Sequence, residues 1–245
     1  MTETDLLRKL VVELRYKPEL GFYSKMDAVG ANLSDDFPHW QRSPLTVEVR
    51  NRKKHRRVFL GHQRCFYETD LTPAYPNPEF DFAEKTLTEV CTGIGLREVK
   101  RVGLRQWFAS DLNKSFALMV DEIASRFLNQ GDDLRAILSD KTHDVAYVAE
   151  FETSDGWKYH LRLGPMTKEQ WFQVVGYEAN IFESPEESKE TSFEEYRKGF
   201  PENFLYLDVD CYKENVPTDQ FAELMTTFRR RSHDLVVKLI RYCRG

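Results

Sequence analysis

Near the start of the chain, Leu10, Val12, Leu14 and Tyr16 alternate with Lys9, Glu13 and Arg15, the pattern of a strand that buries one face. After Pro18 the apolar positions become Phe22, Met26, Val29 and Leu33, a helical spacing that predicts a helix ending before Pro38. Alternation returns at Leu45, Val47 and Val49, and again at Val58 and Leu60, which predicts a hairpin with the polar run 51–55 at its tip. Gly61 marks a bend, 64–70 reads as a further strand, and Pro73, Pro76 and Pro78 form a loop. A helix from about Glu79 carries Ala83, Leu87, Val90, Cys91 and Ile94 on one face, closed by Gly93 and Gly95.

The same order of elements then recurs. Val102-Gly103-Leu104-Arg105 matches Val12-Glu13-Leu14-Arg15 at an offset of ninety positions. A helix follows with Phe116, Met119, Val120, Ile123, Ala124 and Phe127 as its stripe and Asp111 or Asn113 as its cap. A hairpin around Ser154-Asp155-Gly156 sets Glu152 opposite Lys158 and Glu150 opposite His160. A last strand spans 204–212. The closing helix, capped by Thr218, buries Phe221, Leu224, Met225, Phe228, Leu235, Leu239 and Tyr242.

Each half therefore reads strand, helix, three strands, helix. The expected class is α+β: antiparallel sheet, one or two, with helices on one face, built from two duplicated halves about a pseudo-twofold. The halves are residues 1–98 and 99–245, the second interrupted by an insertion at 164–203, and together they form one compact unit.

Arg101-Val102-Gly103-Leu104-Arg105, Tyr206-Leu207-Asp208-Val209-Asp210 and the hairpin and strand over 45–70 together resemble an uncharacterised, sporadically distributed bacterial protein family. The likeness spans nearly the whole chain. It implies a bacterial cytoplasmic protein of this fold; it implies no activity, cofactor or active-site residue.

Charge and composition narrow the function classes. The 245 residues hold 35 Lys plus Arg against 40 Asp plus Glu, a net charge of -5 that opposes a bulk nucleic-acid binder. No apolar run reaches the length needed to cross a bilayer, and the acidic start lacks the character of a secretory signal. The expected location is the cytoplasm, with no membrane partner. Cys65, Cys91, Cys211 and Cys243 stand far apart, as expected of buried reduced thiols. Six histidines show no paired ligand spacing, and Gly93-Ile94-Gly95 lacks the third glycine of a dinucleotide loop, so no cofactor and no catalytic residue are assigned. His62 and Cys65, three apart on a strand, face opposite ways and make no nucleophile and base.

Four candidate constellations remain. Asp208 and Asp210 leave one face of a strand, flanked by Tyr206 and Tyr212; convergence with Glu68 and Asp70 would build an oxygen-rich metal site, and pairing with Arg15 and Arg105 would build none. Arg15 and Arg105 could also receive an anionic ligand. The basic runs 52–57 and 229–231 could meet a phosphate backbone, or the acidic residues Glu183, Glu186, Glu187, Glu190, Glu194 and Glu195 of the insertion. Trp171, Phe172 and Phe182, with Tyr177, Phe193, Tyr196 and Phe200, are either an interface anchor or a cap on the core. The leading expectation is a non-catalytic binding or adaptor protein presenting a groove to a protein or a small anionic ligand. The alternatives are a metal-assisted hydrolase or nuclease using the strand carboxylates, and a nucleic-acid accessory factor.

Overall fold

The computed structural model describes residues 7–18, 21–70, 77–127, 143–179, 197–198 and 200–244. Nine strands form one antiparallel sheet: β1 (Leu7–Arg15), β2 (His39–Arg42), β3 (Thr46–Asn51), β4 (Arg56–Gly61), β5 (Arg64–Asp70), β6 (Glu98–Ser110), β7 (Tyr147–Glu152), β8 (Lys158–Thr167) and β9 (Asn203–Pro217). Among the described residues five helices accompany them: α1 (Phe22–Asn32), α2 (Asn77–Ile94), α3 (Phe116–Phe127), α4 (Lys168–Ala179) and α5 (Phe221–Arg244). The strand order is β2-β3-β4-β5-β1-β6-β9-β8-β7. The class is α+β, and the choice between one sheet and two falls to one because β1 pairs with β6 through seven consecutive residue pairs from Lys9↔Trp107 to Arg15↔Arg101.

Alternation decides the layers. Leu10, Val12 and Leu14 on β1, Cys65 and Tyr67 on β5, Val102 and Leu104 on β6, and Leu207, Val209 and Cys211 on β9 all bury one face in a single core. Helices α1, α2, α3 and α5 close that face, burying Met26, Leu87, Val120 and Phe228 among the strand residues. The four cysteines are buried and unbridged, as the sequence predicts. The hairpin of β7 and β8 keeps the expected register, Glu150 opposite His160 and Glu152 opposite Lys158.

Several expectations need correction. Helices do not all lie on one face: α4 packs on the other, where Trp171 and Phe172 join Trp107, Ala109, Phe204 and Tyr206 in a second buried cluster. The insertion starts later than 164, because β8 continues to Thr167 and pairs with β9 through Asn203. The sequence pattern misses β2, four exposed polar and aromatic residues that carry no alternation. The hydroxyl of Ser115, not a side chain at 111 or 113, accepts the first-turn N–H of Leu118, while Asp111 accepts from the N–H of Asn113. Thr218 does not cap α5; its hydroxyl donates to the carbonyls of Leu96 and Arg97 and ties the helix entrance to the start of β6.

On α5 the buried stripe after Phe228 runs through Ser232, Val236, Ile240 and Cys243. Leu235 and Leu239 are only partly buried, and Tyr242 is exposed. Among the described residues no helix is long and apolar enough to cross a membrane.

Candidate anion site on the open sheet face

Residues directly opposite each other in an antiparallel sheet share a face, so the registers lay out the face away from the four core helices row by row. One row crosses β5, β1 and β6 as Arg64, Arg15 and Arg101. The next, two residues along, runs from β4 to β9 as Phe59, Phe66, Glu13, Gly103 and Tyr212. Beyond it lie Arg57, Glu68, Val11, Arg105 and Asp210, and then Asp70, Lys9, Trp107 and Asp208. Sequence alternation requires these residues to leave this face; only the pairing reveals which of them are neighbours.

The four candidate carboxylates do not converge. Glu68 and Asp70 lie on β5 and Asp208 and Asp210 on β9, with β1 and β6 between them, a separation of about 14 Å at the usual strand spacing. Each has a cation. Lys9 meets Glu68 at 2.9 Å and Asp70 at 3.8 Å, Arg57 meets Glu68 at 2.6 Å, and Arg101 bonds Asp210. Arg105 grips Asp208 with two bonds of 2.9 and 2.7 Å. Burial raises the Glu68 carboxyl, but Lys9 and Arg57 outweigh it and hold the group below the ordinary carboxylate range. Burial pushes Asp210 above its ordinary value in spite of Arg101. The ligand set of the metal-assisted reading is therefore not assembled, and no cluster of three metal-ligating side chains occurs among the described residues.

The arginines are arranged differently. Like charges directly opposite each other destabilise a sheet, yet Arg64, Arg15 and Arg101 stand in one row. They share one carboxylate: Glu13 bonds Arg15 and lies 3.5 Å from Arg101 and 3.9 Å from Arg64. Arg15 and Arg64 keep 52% and 55% of their side-chain surface in solvent, against 17% for Arg101. Gly103, opposite Glu13, lies beside the contact of Arg101 with Asp210; a Cβ there would sit at ordinary contact distance, 3.4 Å from Asp210 Oδ1. Arg101 also lies over the Tyr212 ring, 4.1 Å from its centroid.

Beside this row the sheet offers aromatic surface. Phe59 and Phe66 are directly opposite and stacked, with centroids 5.1 Å apart and planes 11° apart, and both are half-buried. The Arg64 guanidinium lies 5.4 Å from the Phe59 centroid and 6.0 Å from that of Phe66. At the end of the sheet an open depression of about 660 Å³ is lined by Lys17, Arg97, Lys100, Glu98 and Glu214. Of this lining, Glu214 stands opposite Arg101 in register and is paired with Lys158.

Of the residues singled out from sequence, Arg15 belongs to this row. Arg105 and Asp208 form a separate pair nearer α4, where the Arg105 guanidinium lies 5.1 Å from the Trp107 ring centroid. Trp171 and Phe172 are buried against the sheet, as in the cap alternative; Phe182, Phe193, Tyr196 and the insertion's six glutamates lie outside the described residues. The basic run 52–57 is partly consumed by the fold, Arg56 bonding Glu79 and Arg57 bonding Glu68. Arg64, Arg101, Glu13 and the two phenylalanines escape sequence reasoning because no spacing along the chain brings them together. Arg101, within the Arg101 to Arg105 motif, was the one signal available. No family model matches the chain, and the comparison with curated proteins found no match.

Proposed function

We propose that this is a non-catalytic binding protein whose open sheet face receives an anionic ligand on the row Arg64, Arg15 and Arg101. The observation that carries the reading is the shared carboxylate. Three guanidinium groups on adjacent strands share Glu13, Arg101 having a second and nearer carboxylate in Asp210, and Arg15 and Arg64 remain half in solvent. A carboxylate or phosphate placed there would relieve repulsion that the chain itself neutralises only in part. Asp210 and Tyr212 hold Arg101 in position, which lowers the ordering cost of binding.

We also read the two halves as an ancestral duplication. The strand order is the same outward from β1 as from β6, apart from the added β2. Cys65 faces Leu14 in one half and Cys211 faces Leu104 in the other, and the residues ninety apart that pair across the centre are Glu13 and Gly103.

Nuclear magnetic resonance of the arginine Nε–Hε groups during titration with inorganic phosphate tests the binding reading. The signals of Arg15, Arg64 and Arg101 move saturably. That of Arg42, exposed on the other side and bound to Asp27, stays still. Uniform small drifts of all arginines together would mean that the row has no affinity beyond bulk charge.

A further inference from the structure

We propose that the anion carries a flat ring: the ligand is a phosphorylated nucleoside, its phosphate on the arginine row and its base against the Phe59 and Phe66 pair. This deepens the anion-site reading and rests on it. The two rows are adjacent, and a step of two residues along a strand is about 7 Å, a span that a ribose bridges between phosphate and base. Arg64 belongs to both subsites, since it stands in the arginine row and also over the two rings. A guanidinium with more than half its surface in solvent can turn from the rings to a phosphate, or sandwich a base against them.

The phenylalanine pair is built into the face rather than left over from the core. Both rings stand on the side away from the four core helices, where an apolar residue gains no burial from them. Gly61 makes the room: a Cβ there would lie 2.9 Å from Phe59 Cε1. A simple carboxylate or inorganic phosphate would use the arginines and leave the rings to the guanidinium groups already over them, Arg64 and also Arg57, which lies 5.2 Å from the Phe66 centroid. Rings and arginines alternating over an open antiparallel sheet suit stacking of bases with neutralisation of the backbone, which is tolerant of base identity. The ligand could be a mononucleotide or a unit of a single strand, and the two are separable by experiment.

The probes are adenosine 5′-monophosphate, a short fluorescein-labelled oligothymidylate and inorganic phosphate, used at low salt with the full chain. Wild-type protein binds the mononucleotide more tightly than phosphate. A Phe59→Leu, Phe66→Leu variant, its fold checked by circular dichroism, loses about tenfold in affinity for the mononucleotide and nothing for phosphate. Arg15→Ala with Arg64→Ala, both at exposed positions, weakens all probes. An oligothymidylate that binds at least tenfold more tightly than the mononucleotide, with steep salt dependence, assigns the site to a single strand; equal affinities assign it to free nucleotides. Phosphate and mononucleotide binding equally, with the leucine variant unaltered, overturns the nucleoside inference and leaves the anion site standing. No binding of any probe at low salt removes both.

Discussion

Glu68 shows how a carboxylate on this face comes to be structural. Its side chain is largely buried between Lys9 and Arg57, which hold its proton affinity below that of an unfolded glutamate even though burial acts the other way. The sign follows. Above the unfolded value both states are ionised and the stabilisation is complete; as pH falls through the ordinary range of about 4 and on to the lower folded value, the unfolded chain takes up the proton first and the stabilisation is lost. Glu68→Gln should therefore lower stability by about 2 kcal/mol at neutral pH, through loss of the carboxylate that Lys9 and Arg57 share. Urea denaturation of both proteins down the acid limb should bring the curves together. Parallel curves at all pH values would show that the pair adds nothing specific to the folded state. Alternation made the orientation of Glu68, Asp70, Asp208 and Asp210 legible in the sequence. Arg105 was legible as a partner from its place on the polar face, and it holds Asp208; Lys9, Arg57 and Arg101 were not, because they reach Glu68 and Asp210 across strand pairings that no local spacing encodes.

At the scale of elements, the crossing of α1 and α2 depends on Gly93. A Cβ at that position would lie 2.5 Å from Val29 Cγ2, and the β-branched Val29 has little freedom to turn aside. In an exposed helix Gly→Ala stabilises by up to about 1 kcal/mol. Here Gly93→Ala should destabilise by about 1–3 kcal/mol, measured by chemical denaturation, whereas a gain in stability would mean that the helices separate without penalty. Helix α5 illustrates a different limit of sequence reading. Steps of four from Phe228 reach Ser232, Val236 and Ile240, and the packed Ser232 hides the continuity of the buried stripe. Leu235 and Leu239 are more apolar and look like its natural continuation, but they sit at its margin. Polarity alone misplaces a stripe wherever a small hydroxyl residue is needed for close approach.

For the molecule as a whole, the centre of the sheet and its edges should differ in stability. Strands β1, β6 and β9 are flanked on both sides and covered by helices; β2 and β7 are edges with exposed Trp40, Val148 and Phe151. Amide hydrogen exchange should be slowest in β1 and β6 and fast in β2 and β7, and uniform protection across the nine strands would contradict this layering. The thiols report the same hierarchy. Burial pushes Cys91 and Cys211 up to about 12 and Cys243 up to about 11, so few thiolates exist in the native protein near neutral pH. Reaction with a disulfide reagent should therefore be slow in native protein and rapid for all four thiols after unfolding; one thiol reacting rapidly in native protein would place an opening where the core is described as closed. The α+β class and the element order, apart from β2, follow from periodicity in the sequence. The single sheet and the arginine row do not, because they arise where β1 meets β5 and β6, and long-range pairing sets that meeting.

The central claim is that this meeting creates an anion site, and thermal unfolding in phosphate against chloride at matched ionic strength tests it most directly. A ligand that prefers the folded state raises the melting temperature by mass action. Wild-type protein should melt higher in phosphate, with the difference growing with phosphate concentration, and Arg15→Ala with Arg64→Ala should abolish the difference. Identical melting in the two salts, or an equal phosphate effect in the double variant, would contradict the account.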